Sequence, residues 1–234
     1  MIRTMSTSNE EVDRQFGGGL PLPSLMLIEG EHGTGKSALT AQFMKGMLDS
    51  KMKVLYVTTE SNIKDYIAKM KKITFDFSHP FLQNRLSILQ VQADGITWSK
   101  EMARHLLPVV SRYMSINLQK YDVTVIDSLS ILSMHSDANA VMDFFTRCKY
   151  LVANDMSIIM TLHPGAVSQD VALRIRSTCD GYLKIQNAIV SGRSVKVMEV
   201  VKLIGSANQV SSQFSFEVDP NFGIKIVPIS MANA

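Results

Sequence analysis

Residues Gly30 to Ser37 read GEHGTGKS, a match to the pattern G-x-x-x-x-G-K-[S/T]. Gly33 and Gly35 let the backbone curl until its N–H groups converge on a polyphosphate. Lys36 then reaches the β- and γ-phosphates, and the Ser37 hydroxyl is placed to ligate Mg²⁺. Glu31, His32 and Thr34 fill the other positions of the loop. A helix has to begin here, because the positive end of its dipole faces the anion. The flanks comply: SLMLIE (24–29) is a short apolar strand, and Leu39, Phe43 and Met47 follow at helical spacing. A chain of 234 residues would match by composition alone roughly once in a hundred times. Strand, glycine loop and helix in that order imply a nucleotide-binding α/β chain.

The alternation continues downstream. KVLYVT (53–58), LSILQV (86–91), VTVIDS (123–128) and SIIMTL (157–162) read as further strands. Helices are expected around Asn62–Lys72, from about Ser99 to Leu118 with an interruption at Pro108, and near Ala140–Asn154. The stretch with Ser133, Ser136 and Asp137 reads as a loop. Near-continuous apolar strands separated by helices indicate a mainly parallel sheet covered on both faces. After Gly181, YLKIQ, SVKVMEVVKLI, QFSFEV and FGIKIV follow one another through short turns at Ser191-Gly192-Arg193 and Asp219-Pro220-Asn221. Those links imply a C-terminal antiparallel β-hairpin extension. With 46% hydrophobic residues and no linker or repeat, 1–234 is expected to form a single domain.

Composition excludes several classes. The net charge of +3 is too small to argue for nucleic acid. Lys64, Lys69, Lys71 and Lys72 alternate with Ile63, Ile67 and Met70, so they read as the solvated face of an amphipathic helix. Cys148 and Cys179 have no metal-ligand spacing, and Cys148 falls on the apolar stripe Val141, Phe144, Leu151. The first fifteen residues are polar where a signal peptide is apolar, and no run nears 18 apolar residues. A soluble intracellular protein is expected, with a peripheral place on a membrane machine open to it.

Ligands on such a sheet sit beyond the carboxyl ends of the strands, where Glu29–Ser37, Glu60, Asp127 and His163 all fall. Asp127 ends a buried apolar strand, the position from which a carboxylate holds a water on Mg²⁺, and Ser128 can support that hydration shell. Glu60 is positioned to accept the proton of an attacking water. His163 is a candidate γ-phosphate sensor. Thr58 and Thr59, beside Glu60, are candidate phosphate acceptors by position alone. No N-K-x-D guanine-reading motif is present.

GGGLPLPS (17–24) ahead of the first strand, Glu60, the Ile-Asp-Ser of the fourth strand and the late hairpins together resemble the RecA- and KaiC-type ATPases. A KaiC-like chain of this length bearing VTTES is similar to the accessory ATPase family of the archaeal flagellum (archaellum) motor. The resemblance implies a RecA-like P-loop domain that takes ATP with Mg²⁺ in the cytoplasm, peripheral to the membrane-embedded motor. It also implies nucleotide-dependent docking on the hexameric motor ATPase, with a membrane-anchored ring scaffold protein and a polytopic platform protein as further partners. A homo-oligomer, a hexamer, is open to it as well. Two departures stand out. KaiC-type ATPases carry two adjacent glutamates where this chain has Glu60 and Ser61. They also carry a Lys-x-Arg that reaches a neighbouring subunit's γ-phosphate; here Lys202 matches the Lys, a candidate sensor, and Ile204 replaces the Arg. Binding with slow or absent hydrolysis is the resulting expectation. The alternatives are an oligomeric ATPase or autokinase with real turnover, and a DNA recombinase paralogue. The latter is disfavoured because the loop after Asp127 has no Lys or Arg.

Overall fold

The computed structural model describes residues 3–91, 99–190 and 193–227; the turn expected at Ser191-Gly192 lies outside them. In chain order the elements are β1 (Arg3–Met5), α1 (Glu10–Gln15), β2 (Leu20–Leu22), β3 (Leu25–Gly30), α2 (Lys36–Asp49), β4 (Val54–Thr58), α3 (Ile63–Lys71), α4 (Ser78–Leu82), β5 (Leu86–Gln90), α5 (Lys100–Arg104), α6 (Leu106–Ile116), β6 (Val123–Asp127), α7 (Leu129–Ser133), α8 (Ala138–Ala153), β7 (Ser157–Leu162), α9 (Gln169–Thr178), β8 (Gly181–Val190), β9 (Arg193–Leu203), β10 (Gln213–Asp219) and β11 (Gly223–Val227).

The main sheet has the order β11-β10-β9-β8-β3-β7-β6-β4-β5. From β8 to β5 every neighbouring pair is parallel, and β9, β10 and β11 continue it antiparallel. The antiparallel pairing expected after Gly181 is observed between β8 and β9, β9 and β10, and β10 and β11. β8 pairs parallel with β3 from Met26↔Gly181 to Gly30↔Ile185 and antiparallel with β9 on its other side. It is the seam between the two regimes.

Alternation along each parallel strand divides the core. Met26 and Ile28 of β3, Val54 and Tyr56 of β4, and Val123 and Val125 of β6 face the layer built on α2 and α3. Leu25 and Leu27, Leu55 and Val57, and Ile126 face the layer built on α6, α8 and α9. Both faces being covered explains why these strands read as unbroken apolar runs. Cys148 is buried in the second layer, as its stripe requires.

The interruption expected at Pro108 is observed. Proline has no N–H to bond the carbonyl four residues back, which here is Arg104, the last residue of α5, and α6 restarts at Leu106 with Pro108 in its first turn. The stretch read as a loop after Asp127 instead contains α7, buried through Leu129, Ser130, Leu132 and Ser133; Asp137 caps α8, accepting from the Ala140 N–H. A five-residue helix is too short to show a period, so it escaped the sequence pattern.

The N-terminal segment was also invisible to periodicity. β1 and β2 pair antiparallel around α1, and side chains hold the excursion together. Asp13 accepts from the Ser6 hydroxyl at 2.6 Å and from the N–H and hydroxyl of Thr7, both at 2.7 Å. Gln42 of α2 donates to the Thr7 carbonyl at 2.8 Å. The strap lies so close to α2 that a Cβ at Gly46 would collide with the Ser6 carbonyl. Among the described residues, no helix is long and apolar enough to cross a membrane.

Candidate nucleotide site

β3, β7, β6 and β4 occupy four consecutive positions of the sheet, so the loops leaving their carboxyl ends converge. These loops carry the phosphate loop, His163, Asp127 and Glu60. They meet in a cavity of about 490 Å³ lined by His32, Gly33, Gly35, Lys36, Ser37, Ala38, Glu60, Asp127 and His163, with Lys69, Met70 and Ile73 from the α3 region and Lys196 and Val218 from β9 and β10. Four separated sequence expectations thus fall in one cavity.

The loop is built for an anion. Gly33 and Gly35 have φ of +75° and +91°, which place consecutive N–H groups in a concave turn. Nothing lies within 4 Å of a Cβ built on Gly33. At Gly30 a Cβ would come within 2.7 Å of the Ile185 carbonyl and the Thr34 hydroxyl, so close packing excludes a side chain there. α2 begins at Lys36 without a side-chain cap, leaving its first N–H groups for a ligand. The Lys36 ammonium is held over the loop by the carbonyls of Gly30 (2.7 Å) and Glu31 (2.8 Å). Burial lowers its pKa, and Asp127, Glu60 and Glu31 act in the opposite direction.

Asp127 is buried and fully supported. Thr161 of β7 donates to Oδ1 at 2.6 Å, and Tyr56 of β4 donates to Oδ2 at 2.9 Å. Burial, reinforced by Asp127, raises the Tyr56 phenol well above its ordinary pKa and keeps it a donor. Each carboxylate oxygen still has lone-pair capacity for a water. The Ser37 hydroxyl lines the same cavity, and the Ser128 hydroxyl is buried beside Asp127 without a partner among the described residues. These groups fit the hard, oxygen-rich, partly hydrated environment that Mg²⁺ takes.

His163 and His32 stack, with ring centroids 4.0 Å apart and planes 28° from parallel. The Ser130 hydroxyl lies 3.0 Å from His163 Nδ1 and accepts from the His163 backbone N–H at 2.8 Å. Burial lowers the His163 pKa; Lys36 and His32 lower it further, and Asp127 and Glu31 partly offset them. A histidine held below its ordinary 6.5 binds fewer protons folded than unfolded. Its contribution to stability is therefore complete above pH 6.5 and is lost as pH falls from there through the lowered folded value. Thermal denaturation between pH 8 and pH 5 is expected to show this loss, reduced in His163→Gln.

Not every candidate reaches the cavity. Glu29 is buried behind the loop, accepting from Arg176 at 2.6 and 2.9 Å and from the Tyr182 hydroxyl at 3.0 Å. Lys202 donates to the carbonyls of Ser177 (3.0 Å) and Cys179 (2.5 Å) at the end of α9. In its place Lys196 stands at the cavity, its methylenes 3.0 Å from a Cβ built on Gly35. Lys69, one of the lysines read as a solvated face, is exposed but also lines the cavity, whereas Lys71 pairs with Asp76 at 2.9 Å. No motif singles out Lys69 or Lys196 in the sequence.

A family model described as "ATPase: KaiC" matches residues 5–231. An archaeal flagellar ATP-binding protein FlaH from Sulfolobus acidocaldarius is 39% identical over 98% of this chain and 99% of its own length. The protein of the same name from Methanocaldococcus jannaschii is 27% identical over 99% and 98%. The crystal structure of a flagellar accessory protein FlaH from that organism superposes with a TM-score of 0.86 over 97% of this chain and 99% of that one, at 23% identity, which shows a shared fold. The antiparallel strands β9 to β11 extend the RecA-like α/β core common to the group. The chain belongs to the KaiC-type ATPases and, among them, to the FlaH family.

Proposed function

We propose that this chain is an ATP-binding component of the archaeal flagellum, in which bound Mg-ATP acts chiefly as a ligand that orders docking surfaces. The observation that carries this reading is the cavity where the phosphate loop, Glu60, Asp127 and His163 converge. Gly30 to Ser37 would bind the phosphates, with Lys36 reaching the β- and γ-phosphates, and Ser37 and Asp127 would hold Mg²⁺. Bound Mg²⁺ supplies neutralisation of phosphate charge. Glu60 is the carboxylate placed to accept the proton of an attacking water, and Asp127 completes the catalytic pair.

Slow turnover follows from two groups the chain lacks, one beside Glu60 and one just after β9. Ser61 stands where KaiC-type chains carry a second glutamate, and Ile204 where they carry a trans arginine. Such an arginine is worth ~10³–10⁵ in other phosphoryl-transfer systems. Lys202 is engaged at the end of α9, away from its own chain's cavity, so any phosphate contact it makes is with a neighbouring subunit. The autokinase alternative gains nothing from Thr58 or Thr59. The Thr58 hydroxyl accepts from the N–H groups of Glu60 and Ser61, and the Thr59 hydroxyl accepts from that of Ser128. Both residues are buried.

The partner proposed for docking is the hexameric motor ATPase, beside the membrane-anchored ring scaffold and the polytopic platform protein. The chain acts as one cytoplasmic domain over 1–234, and sedimentation decides whether it assembles as a hexamer. Titration of the purified motor ATPase with this protein, with and without Mg-ATP, tests the docking. At least about tenfold tighter binding with ATP is expected, the size of an ordinary coupling free energy. Equal affinity in both conditions would remove the switch.

A further inference from the structure

Ser130 meets His163 twice, and together the two contacts fix where protons sit. Ser130 lies in α7, is 6% exposed, and belongs to no nucleotide-binding motif. Its oxygen accepts the His163 backbone N–H at 2.8 Å. Its own proton then needs an acceptor, because a buried hydroxyl donor left unpaired is costly. Among the described residues the acceptor within reach is His163 Nδ1, at 3.0 Å. A neutral imidazole that accepts at Nδ1 carries its proton on Nε2. The stacked His32 ring, 4.0 Å away, restrains the plane in which that Nε2–H can turn.

We infer that Ser130 is a positioning residue that locks His163 in the Nε2–H tautomer, so that the side chain lining the cavity offers a hydrogen-bond donor to the terminal phosphate. This rests on the reading of the cavity as an ATP site. It adds a means of telling ATP from ADP: a donor at the γ-phosphate position has no partner when the nucleotide ends at the β-phosphate. Lys36 and the loop N–H groups also hold the β-phosphate that both nucleotides carry, so the His163 donor adds a contact made to the terminal phosphate alone. The opposite tautomer would turn an acceptor lone pair toward the phosphate oxygens and repel them.

Two readouts on the full chain test it. Long-range ¹H–¹⁵N correlation of histidine-labelled protein at pH 8, with His163→Gln for assignment, reads the tautomer directly. His163 is expected with Nε2 protonated, and Ser130→Ala is expected to shift it toward a mixture of tautomers. A wild-type Nδ1–H tautomer, or an unchanged Ser130→Ala spectrum, would overturn the proposal. Calorimetric titration with Mg-ATP and Mg-ADP is the second readout. Ser130→Ala is expected to lose about fivefold or more of the ATP-over-ADP preference, mostly in ATP affinity, with Ser130→Thr restoring it. Equal losses for both nucleotides would reduce Ser130 to a structural residue and overturn the positioning role. If the wild-type protein binds neither nucleotide, the ATP reading fails and the donor role with it. If it binds ATP and Ser130→Ala keeps the full preference, the ATP reading stands and the positioning role alone falls.

Discussion

Lys36→Ala is expected to weaken Mg-ATP binding by more than a hundredfold, about 3 kcal/mol or above, while the protein stays folded. The ammonium is the fixed cation at the centre of the loop, held by the carbonyls of Gly30 and Glu31 and flanked by Asp127 and Glu60. Removing one partner of a desolvated, hydrogen-bonded charge pair costs about 2–5 kcal/mol. A neutral methyl leaves the phosphates facing the same carboxylates without their counter-charge. The scaffold does not depend on this side chain, because α2 buries Leu39, Phe43, Met44 and Met47 independently of it. Calorimetric titration with thermal denaturation alongside checks both parts. Retained affinity would place the phosphates elsewhere in the cavity.

Arg176→Ala is expected to be the most destabilising single change near the site, by about 2–4 kcal/mol, although Arg176 touches no part of the cavity. Glu29 is almost wholly buried, its side chain 4% exposed against 37% for that of Arg176. Losing the arginine leaves a buried carboxylate with the Tyr182 hydroxyl as its remaining side-chain partner, and stranding a buried charge in this way costs about 3–5 kcal/mol when both partners are fully enclosed. The half-exposed arginine moderates the figure. For a chain of this size the change corresponds to a fall of about 5–15 °C in Tm. Replacing both residues by methionine is expected to recover most of the loss, since an apolar pair of similar volume replaces a buried ion pair at little net cost. A Tm unchanged in Arg176→Ala would show that Glu29 is solvated or protonated. The pair also bears on binding, because Glu29 precedes Gly30, whose carbonyl takes the Lys36 ammonium. α9 is tied through Glu29 to the root of the phosphate loop.

What the sequence made legible and what it hid follow from the range of each interaction. The strand, glycine loop and helix of 25–49 are visible because each part is local: a continuous apolar run, glycines at positive φ, then a helical period. The same holds for β4, β6 and β7, which are buried along their whole length and mainly apolar, with Thr124, Asp127, Ser157 and Thr161 among their polar residues. β8 was legible in part: its short link to β9 announces the antiparallel hairpin that forms, while its parallel pairing with β3 is set by residues more than 150 positions away. The Glu29–Arg176 pair, 147 residues apart, has no sequence signature at all. Lys69 and Lys196 are ordinary lysines on an exposed helix face and a late strand; folding brings them to the cavity. The β1–α1–β2 strap is held by Asp13, Thr7 and Gln42 rather than by an apolar period. Ser130 is hidden for a similar reason, since α7 is one turn long and its contact with His163 crosses from β6 to β7.

The central claim, that ATP is bound far more effectively than it is hydrolysed, is tested most directly by phosphate release. The protein is held under saturating Mg-ATP, with nucleotide occupancy measured in the same samples and Lys36→Ala as the binding-deficient control. Full occupancy with turnover well below one per second, and neither occupancy nor release in Lys36→Ala, is the expected result. Sustained release of several phosphates per second, abolished in Lys36→Ala, would contradict it: Glu60 would then suffice beside Ser61 and without an arginine at position 204.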